Sequence, residues 1–158
     1  MKFLCFIIAL LFLKQSYANS VSCEFEEVYE DGSTQTGNML FSDGLLRYQY
    51  NDKQLFTIIY NKDYYVIRND KNSIVNKLKN DAILNELKFI IADYPKIKNS
   101  YIRDDLKITI QNSQLIEFIK RISINSQKVN LSIYFINCTF EDISKGFFQP
   151  FSLKKIRK

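Results

Sequence analysis

Residues 37–70 read GNMLFSDGLLRYQYNDKQLFTIIYNKDYYVIRND, and this stretch decides the fold. Short runs of alternating apolar residues are interrupted by three turn sequences, Asp43-Gly44, Asn51-Asp52 and Asn61-Lys62-Asp63. Alternation with a period of two is typical of β-strands, and Asp-Gly between such runs is a strong hairpin signal. The stretch therefore predicts an antiparallel meander whose faces are rich in Leu, Ile, Phe and Tyr.

Strand patterns continue on both sides of this stretch, at Glu24–Glu30, Leu106–Gln111, Phe118–Asn125, Val129–Asn137 and Ile143–Phe148. Between Asp81 and Ala92 the apolar residues instead recur at i, i+1, i+4, i+7 and i+8, which is a helical stripe. Residues Ile74–Leu78 are either a strand or the lead into that helix. We therefore expect an α+β fold, an incomplete antiparallel β-barrel formed by a strongly curved meander sheet, with the helical segment covering its inner face.

The N-terminal residues have the pattern of an export signal. Lys2 is followed by the apolar run Phe3–Leu13 and by Ser16-Tyr17-Ala18, with small residues at the positions that a signal peptidase reads. We expect residues 1–18 to be a signal peptide and residues 19–158 to form a single exported domain.

The chain of 158 residues contains no histidine, so the usual general base and the commonest metal ligand are missing. Paired carboxylates for acid–base chemistry would have to come from one acidic cluster: Glu24, Glu26, Glu27, Glu30 and Asp31. A simpler interpretation makes this cluster the solvated face and turn of an edge strand. The net charge of +5 is spread along the chain, unlike a nucleic-acid footprint. We expect no catalysis, no metal, no cofactor and no nucleic acid.

Several of these motifs together are similar to the LolA family, the periplasmic carriers of outer-membrane lipoproteins. The resemblance rests on Thr36–Phe41, Leu46–Tyr50, Leu55–Ile67, Val129–Phe135 and Phe147-Phe148-Gln149-Pro150. It implies an open barrel with helices as a lid over an apolar cavity for acyl chains. It also implies a monomer in the periplasm of a Gram-negative bacterium. The implied partners are acylated lipoproteins or lipid, an inner-membrane release complex and an outer-membrane acceptor. The Arg-Pro that the family carries before its third strand is Ser42-Asp43 here.

Strand alternation predicts which side chains would line such a cavity. On the sheet they are Leu46, Tyr48, Tyr50, Ile58, Tyr60, Tyr65, Ile67, Leu131, Ile133 and Phe135, and on the helix Leu84, Leu87 and Ile91.

Two cysteines remain once Cys5 leaves with the signal peptide. Cys23 and Cys138 are then a single possible disulfide pair in an oxidising compartment. The alternatives are two unpaired buried thiols, or lipidation of Cys23.

Three functions follow from the sequence. The first is a carrier that binds the acyl chains of lipoproteins or lipids in an apolar cavity and takes them toward the outer membrane. The second is a non-catalytic periplasmic interaction or structural module with a fully packed sheet core. The third and weakest is a secreted enzyme that uses the carboxylates of Glu24–Asp31.

Overall fold

The structure, a computed structural model, describes residues 20–71, 73–78, 82–93, 96–103, 105–114, 118–127 and 129–150. The expected signal peptide lies outside these residues. The described chain forms ten strands: β1 (Ser20–Tyr29), β2 (Thr34–Ser42), β3 (Leu45–Tyr50), β4 (Phe56–Asn61), β5 (Asp63–Arg68), β6 (Ser73–Leu78), β7 (Ser100–Arg103), β8 (Leu106–Asn112), β9 (Ile119–Asn125) and β10 (Asn130–Phe140). The α-helix α1 (Ala82–Ala92) lies between β6 and β7, and the 3-10 helix η1 (Lys145–Phe148) follows β10.

All ten strands belong to one antiparallel sheet in the order β6-β5-β4-β3-β2-β1-β10-β9-β8-β7. Strands β1 to β6 form one meander and β7 to β10 another, and the pairing of β1 with β10 joins the two. The edge strands β6 and β7 are not neighbours in this order, so the sheet is not closed into a barrel.

The expected α+β class is wrong, because the described chain is almost entirely sheet. The helix predicted between Asp81 and Ala92 does form, but α1 has 11 residues and is about 16 Å long. Ten strands laid side by side would be about 43 Å wide. One helix of this length is not a layer that covers the sheet. The predicted strand Ile143–Phe148 is also wrong, since these residues include η1, whose start is capped by the Ser144 side chain.

The tight turns set the register of the first meander. Asp43 and Gly44 both have positive φ, at 50° and 78°, as the type I′ hairpin turn requires. This turn places Ser42 opposite Leu45 and Met39 opposite Tyr48. The side chains of Met39 and Tyr48 therefore lie on the same face of the sheet.

The two faces of the sheet carry separate apolar clusters. The inner-face cluster takes buried residues from β1, β2, β3, β8, β9, β10 and α1, among them Phe25, Met39, Leu46, Ile90, Ile122 and Phe135. The outer-face cluster consists of Ile59, Ile67 and Phe148, with Leu40, Leu45, Tyr65 and Ile143 packed against it. Because η1 supplies Phe148, the C-terminal segment packs on the outer face of β3 and β4.

Candidate functional site

Most of the side chains predicted to line a cavity lie together on the inner face. Ten of the predicted side chains belong to the inner-face cluster or pack against it: Leu46, Tyr48, Tyr50, Ile58, Tyr60, Leu87, Ile91, Leu131, Ile133 and Phe135. The side chain of Leu84 lies outside the described part of the chain. That these residues bind a ligand stays a prediction.

The placement of Tyr65 and Ile67 on this face is wrong, because both belong to the outer-face cluster. The hairpin between β4 and β5 pairs Asn61 with Asp63 and leaves only Lys62, with φ of 65°, at the tip. Tyr60 is then opposite Tyr64, so these two share the inner face. A shift of one residue in a hairpin moves the whole following strand to the other face.

The contacts of α1 show that the sheet is strongly curled. At one end of the sheet Tyr64 of β5 donates to the Asn85 side chain (2.9 Å), and at the other end Tyr101 of β7 donates to Asp93 (3.4 Å). Asn85 and Asp93 are about 12 Å apart along the helix axis. Strands β5 and β7 are eight positions apart in the sheet order, which would separate them by about 38 Å in a flat sheet. The two ends of the sheet are therefore brought close to each other.

The inner face has a packed centre and a half-buried margin. Met39, Leu46, Ile90, Ile119 and Ile122 are all fully buried. By contrast, the side chains packed around this centre are only partly buried: Tyr50, Ile58, Tyr60, Ile97, Tyr101, Leu106, Leu131 and Cys138. The margin is thus where the inner face remains accessible.

One buried carboxylate interrupts the apolar inner face. Glu27 is 4% exposed and accepts hydrogen bonds from three tyrosine hydroxyls. Tyr29 donates at 2.6 Å and Tyr48 at 2.8 Å, and Tyr50 lies 3.1 Å from both carboxylate oxygens. We call these four residues the Glu27 cluster. Hydrogen bonds to a charged group contribute about 1.5–3 kcal/mol each and offset part of the cost of burying it.

Burial and the Glu27 carboxylate together raise the pKa values of the tyrosines around it. Burial, and then the hydrogen bond and the charge of Glu27, raise the pKa of Tyr29 to about 12. The pKa values of Tyr48 and Tyr50 are also raised well above the ordinary value, by burial first and then by the charge of Glu27. All three hydroxyls are therefore neutral donors at physiological pH rather than candidate bases.

A glycine makes room for this arrangement. Gly37 lies between Phe25 on β1 and Tyr50 on β3, and a Cβ at this position would collide with the Phe25 ring and the Gln49 carbonyl oxygen. The Phe25 ring stacks on Tyr48 with centroids 3.9 Å apart, and Tyr50 meets both rings edge-on. The aromatic rings thereby hold two of the hydroxyls in position over Glu27.

The other acidic residues of Glu24–Asp31 do not join Glu27. Glu24 is exposed and accepts from the Asn137 side chain, Glu30 accepts from Asn130, and Asp31 caps the turn through Ser33. Strand alternation separates Glu24 from Glu27, since residues three apart point to opposite faces. The side chains of Glu24, Glu30 and Asp31 thus have partners other than Glu27.

A disulfide between Cys23 and Cys138 ties β1 to β10, with Cα atoms 4.1 Å apart and a sequence separation of 115. In the chain-entropy model a loop of this length contributes about 4–5 kcal/mol to the free energy of unfolding. Cys23 is buried in the inner-face cluster. The bond fixes the junction of the two meanders, and its other half, Cys138, is partly buried and packs against the same cluster.

The sequence interpretation missed Glu27 because it treated the acidic segment as one solvated face. The available signal was the parity of β1: Cys23, Phe25, Glu27 and Tyr29 alternate in step. If Phe25 points inward, Glu27 must do so as well.

Among the described residues, no group of three or more Cys, Asp or Glu side chains is arranged to hold a metal ion. No helix in the described part of the chain has both the length and the apolar character needed to cross a membrane.

Comparison with known proteins gives little guidance. No family model matches the sequence, and no curated protein matches it. Among solved structures, the chain is similar to an uncharacterized conserved protein from Thermus thermophilus. The two are 7% identical with a TM-score of 0.49, over 91% of this chain and 92% of that chain. A likeness at this level supports no argument about function.

Proposed function

We propose that this protein is a non-enzymatic periplasmic carrier whose inner face binds the acyl chains of lipoproteins or lipids and takes them toward the outer membrane. The observation that carries the proposal is the largely apolar inner face of a curled, unclosed sheet, with a half-buried margin. The resemblance of the strand motifs to the LolA family supports the same function. An inner-membrane release complex and an outer-membrane acceptor belong to the proposal through that resemblance alone.

An acyl chain on this face would compete with α1. Leu87, Ile90 and Ile91 of α1 are at most 3% exposed and belong to the inner-face cluster. Their burial stabilises the docked helix by roughly 5–9 kcal/mol, which equals the burial of about six to eleven methylene groups. Long chains would then displace the helix, and short chains would bind only at the margin.

The test is binding of a series of neutral monoacylglycerols of increasing chain length, measured by displacement of a fluorescent apolar probe. The expected affinity gain is about fourfold per added methylene, from about 0.8 kcal/mol each. Leu131→Ser, which shortens a half-buried inner-face side chain, should weaken binding roughly tenfold. Val28→Ser is the matched control, because Val28 is equally half-buried on the opposite face of β1. Absence of binding at every chain length would contradict the proposal.

A second candidate is an interaction module with a fully packed core. The observation that favours it is the complete burial of the centre of the inner face, where Met39, Leu46 and Ile122 are 0% exposed. Such a module would bind a protein through an unpaired edge strand. Edge strand β7 carries Ile102, which is 75% exposed. Failure of every acyl probe to bind would favour this candidate.

A further inference from the structure

The inner face holds a negative charge for which the described residues provide no counter-ion. The ion pair between Arg68 and Asp70 lies far from Glu27 in the sheet order. Glu27 forms no ion pair within the described part of the chain, and its carboxylate accepts hydrogen bonds from Tyr29, Tyr48 and Tyr50 instead. Tyrosine hydroxyls compensate this charge by hydrogen bonding, but the net charge of the cluster remains −1.

The three tyrosine hydroxyls do not fill every acceptor position of the Glu27 carboxylate, because one hydroxyl is shared between the two oxygens. A carboxylate has about four acceptor positions, and the three hydroxyls supply three protons. Tyr50 lies 3.1 Å from both oxygens, so its one proton serves two positions, while Tyr29 and Tyr48 each make one shorter bond. An additional donor from a ligand could take the position that Tyr50 shares.

This position lies beside the accessible margin. Tyr29 and Tyr50 are half-buried, whereas Tyr48 and Glu27 are buried beneath them. Leu131, which is opposite Tyr29 across the β1–β10 pair, is also half-buried and packs against the inner-face cluster. Apolar surface and a buried anion are thus adjacent at the same margin, as an amphiphile with a cationic end would require.

We infer that the Glu27 cluster is the head-group end of the inner-face site and that it takes a primary ammonium group attached to an apolar chain. The inference rests on the proposed function, and it names the class of ligand. An ammonium group donates up to three hydrogen bonds and neutralises the carboxylate. An anionic head group at the same place would meet Glu27 at short range in a site of low dielectric, where like charges repel strongly.

The test compares three probes of equal chain length, dodecylammonium, dodecanol and dodecanoate, by calorimetric titration of the full chain below their aggregation concentrations. Dodecylammonium should bind roughly tenfold or more tightly than dodecanol, since a charge-assisted hydrogen bond contributes about 1.5–3 kcal/mol. Dodecanoate should bind least. The net charge of +5 would favour dodecanoate if attraction were only to the protein as a whole.

Two variants and one control locate the effect. Glu27→Gln should abolish the difference between dodecylammonium and dodecanol. Glu26→Gln should retain it, because Glu26 has the same charge on the opposite face of β1. Tyr50→Phe keeps the carboxylate and removes the shared donor, so it should increase the preference for dodecylammonium. This increase is not expected of a tyrosine that is only structural, and it applies even where Glu27→Gln does not fold.

The outcomes separate the two proposals. If none of the three probes binds, both the carrier function and the ammonium site are wrong. Equal binding of all three, or tighter binding of dodecanoate, would overturn the ammonium site and leave the carrier function standing. A preference for dodecylammonium that survives in Glu27→Gln would also overturn the ammonium site.

Discussion

Among the described strand residues, one charged side chain is buried on each face of the sheet, and the two faces stabilise their charges differently. On the inner face Glu27 is held by tyrosine hydroxyls, two of them half-buried. On the outer face Arg47, 7% exposed, donates to the Gln49 side chain (3.2 and 2.8 Å) and to the backbone carbonyl of Phe147 (3.0 Å). Burial lowers the pKa of Arg47, but an arginine still stays charged.

The difference lies in where the hydrogen-bond partners come from. Arg47 is held in part by the backbone of η1, and the same segment inserts the fully buried Phe148 into the outer-face cluster. A second contact, from the Asn61 side chain to the Phe148 carbonyl, fixes this segment further. The C-terminal segment therefore covers the outer face at β3 and β4. The partners of Glu27 are side chains rather than backbone groups, and two of the three, Tyr29 and Tyr50, are half-buried.

Removal of the Phe148 side chain from the outer-face cluster should have the largest effect on stability. Phe148→Ala should lower the free energy of unfolding by about 3–5 kcal/mol, since it empties a fully buried aromatic site. Denaturant unfolding measures the loss. Phe147→Ala is the matched control, because Phe147 is 38% exposed and keeps the carbonyl that accepts from Arg47. It should cost below about 1 kcal/mol. Equal losses of stability in the two variants would contradict the packing of Phe148 in the outer-face cluster.

Within the Glu27 cluster, removal of a buried tyrosine hydroxyl should lower the stability more than removal of a half-buried one. Tyr48→Phe removes a hydroxyl from a fully buried site and should cost about 2 kcal/mol, because Glu27 loses a donor that water cannot replace. Tyr29→Phe should cost below about 1 kcal/mol, since water can reach this half-buried position. Both are measured by denaturant unfolding. If Tyr29→Phe lowers the stability as much as Tyr48→Phe does, water does not reach the Tyr29 position, and the margin is not accessible to a ligand.

Much of the fold could be predicted from local signals in the sequence. The Asp43-Gly44 turn, the alternation of Leu45–Tyr50 and the helical stripe after Asp81 each correspond to an observed element. Each depends on neighbouring residues only, through turn conformation or side-chain period.

The remaining features depend on relations between distant segments. The sequence placed Tyr65 and Ile67 on the inner face, because it did not fix how many residues the turn at Lys62 takes. The sequence also predicted that the helix would cover the inner face of the sheet. A single amphipathic stripe does not show how many strands the helix packs against. The hydrogen bonds of Glu27 to Tyr48 and Tyr50 could not be predicted, because these two tyrosines are more than 20 residues away in the sequence.

The most direct test of the account is which face of the sheet a bound chain touches. Ile58 and Ile59 are neighbours on β4, and Ile58 packs against the inner-face cluster while Ile59 is buried in the outer-face cluster. The measurement is isoleucine-methyl NMR with a neutral alkyl probe, recorded as intermolecular nuclear Overhauser effects between the probe chain and the isoleucine methyl groups. Binding on the inner face should give these effects at Ile58 and none at Ile59 and Ile67. Effects of equal size on both faces, or effects confined to Ile59 and Ile67, would contradict binding on the inner face.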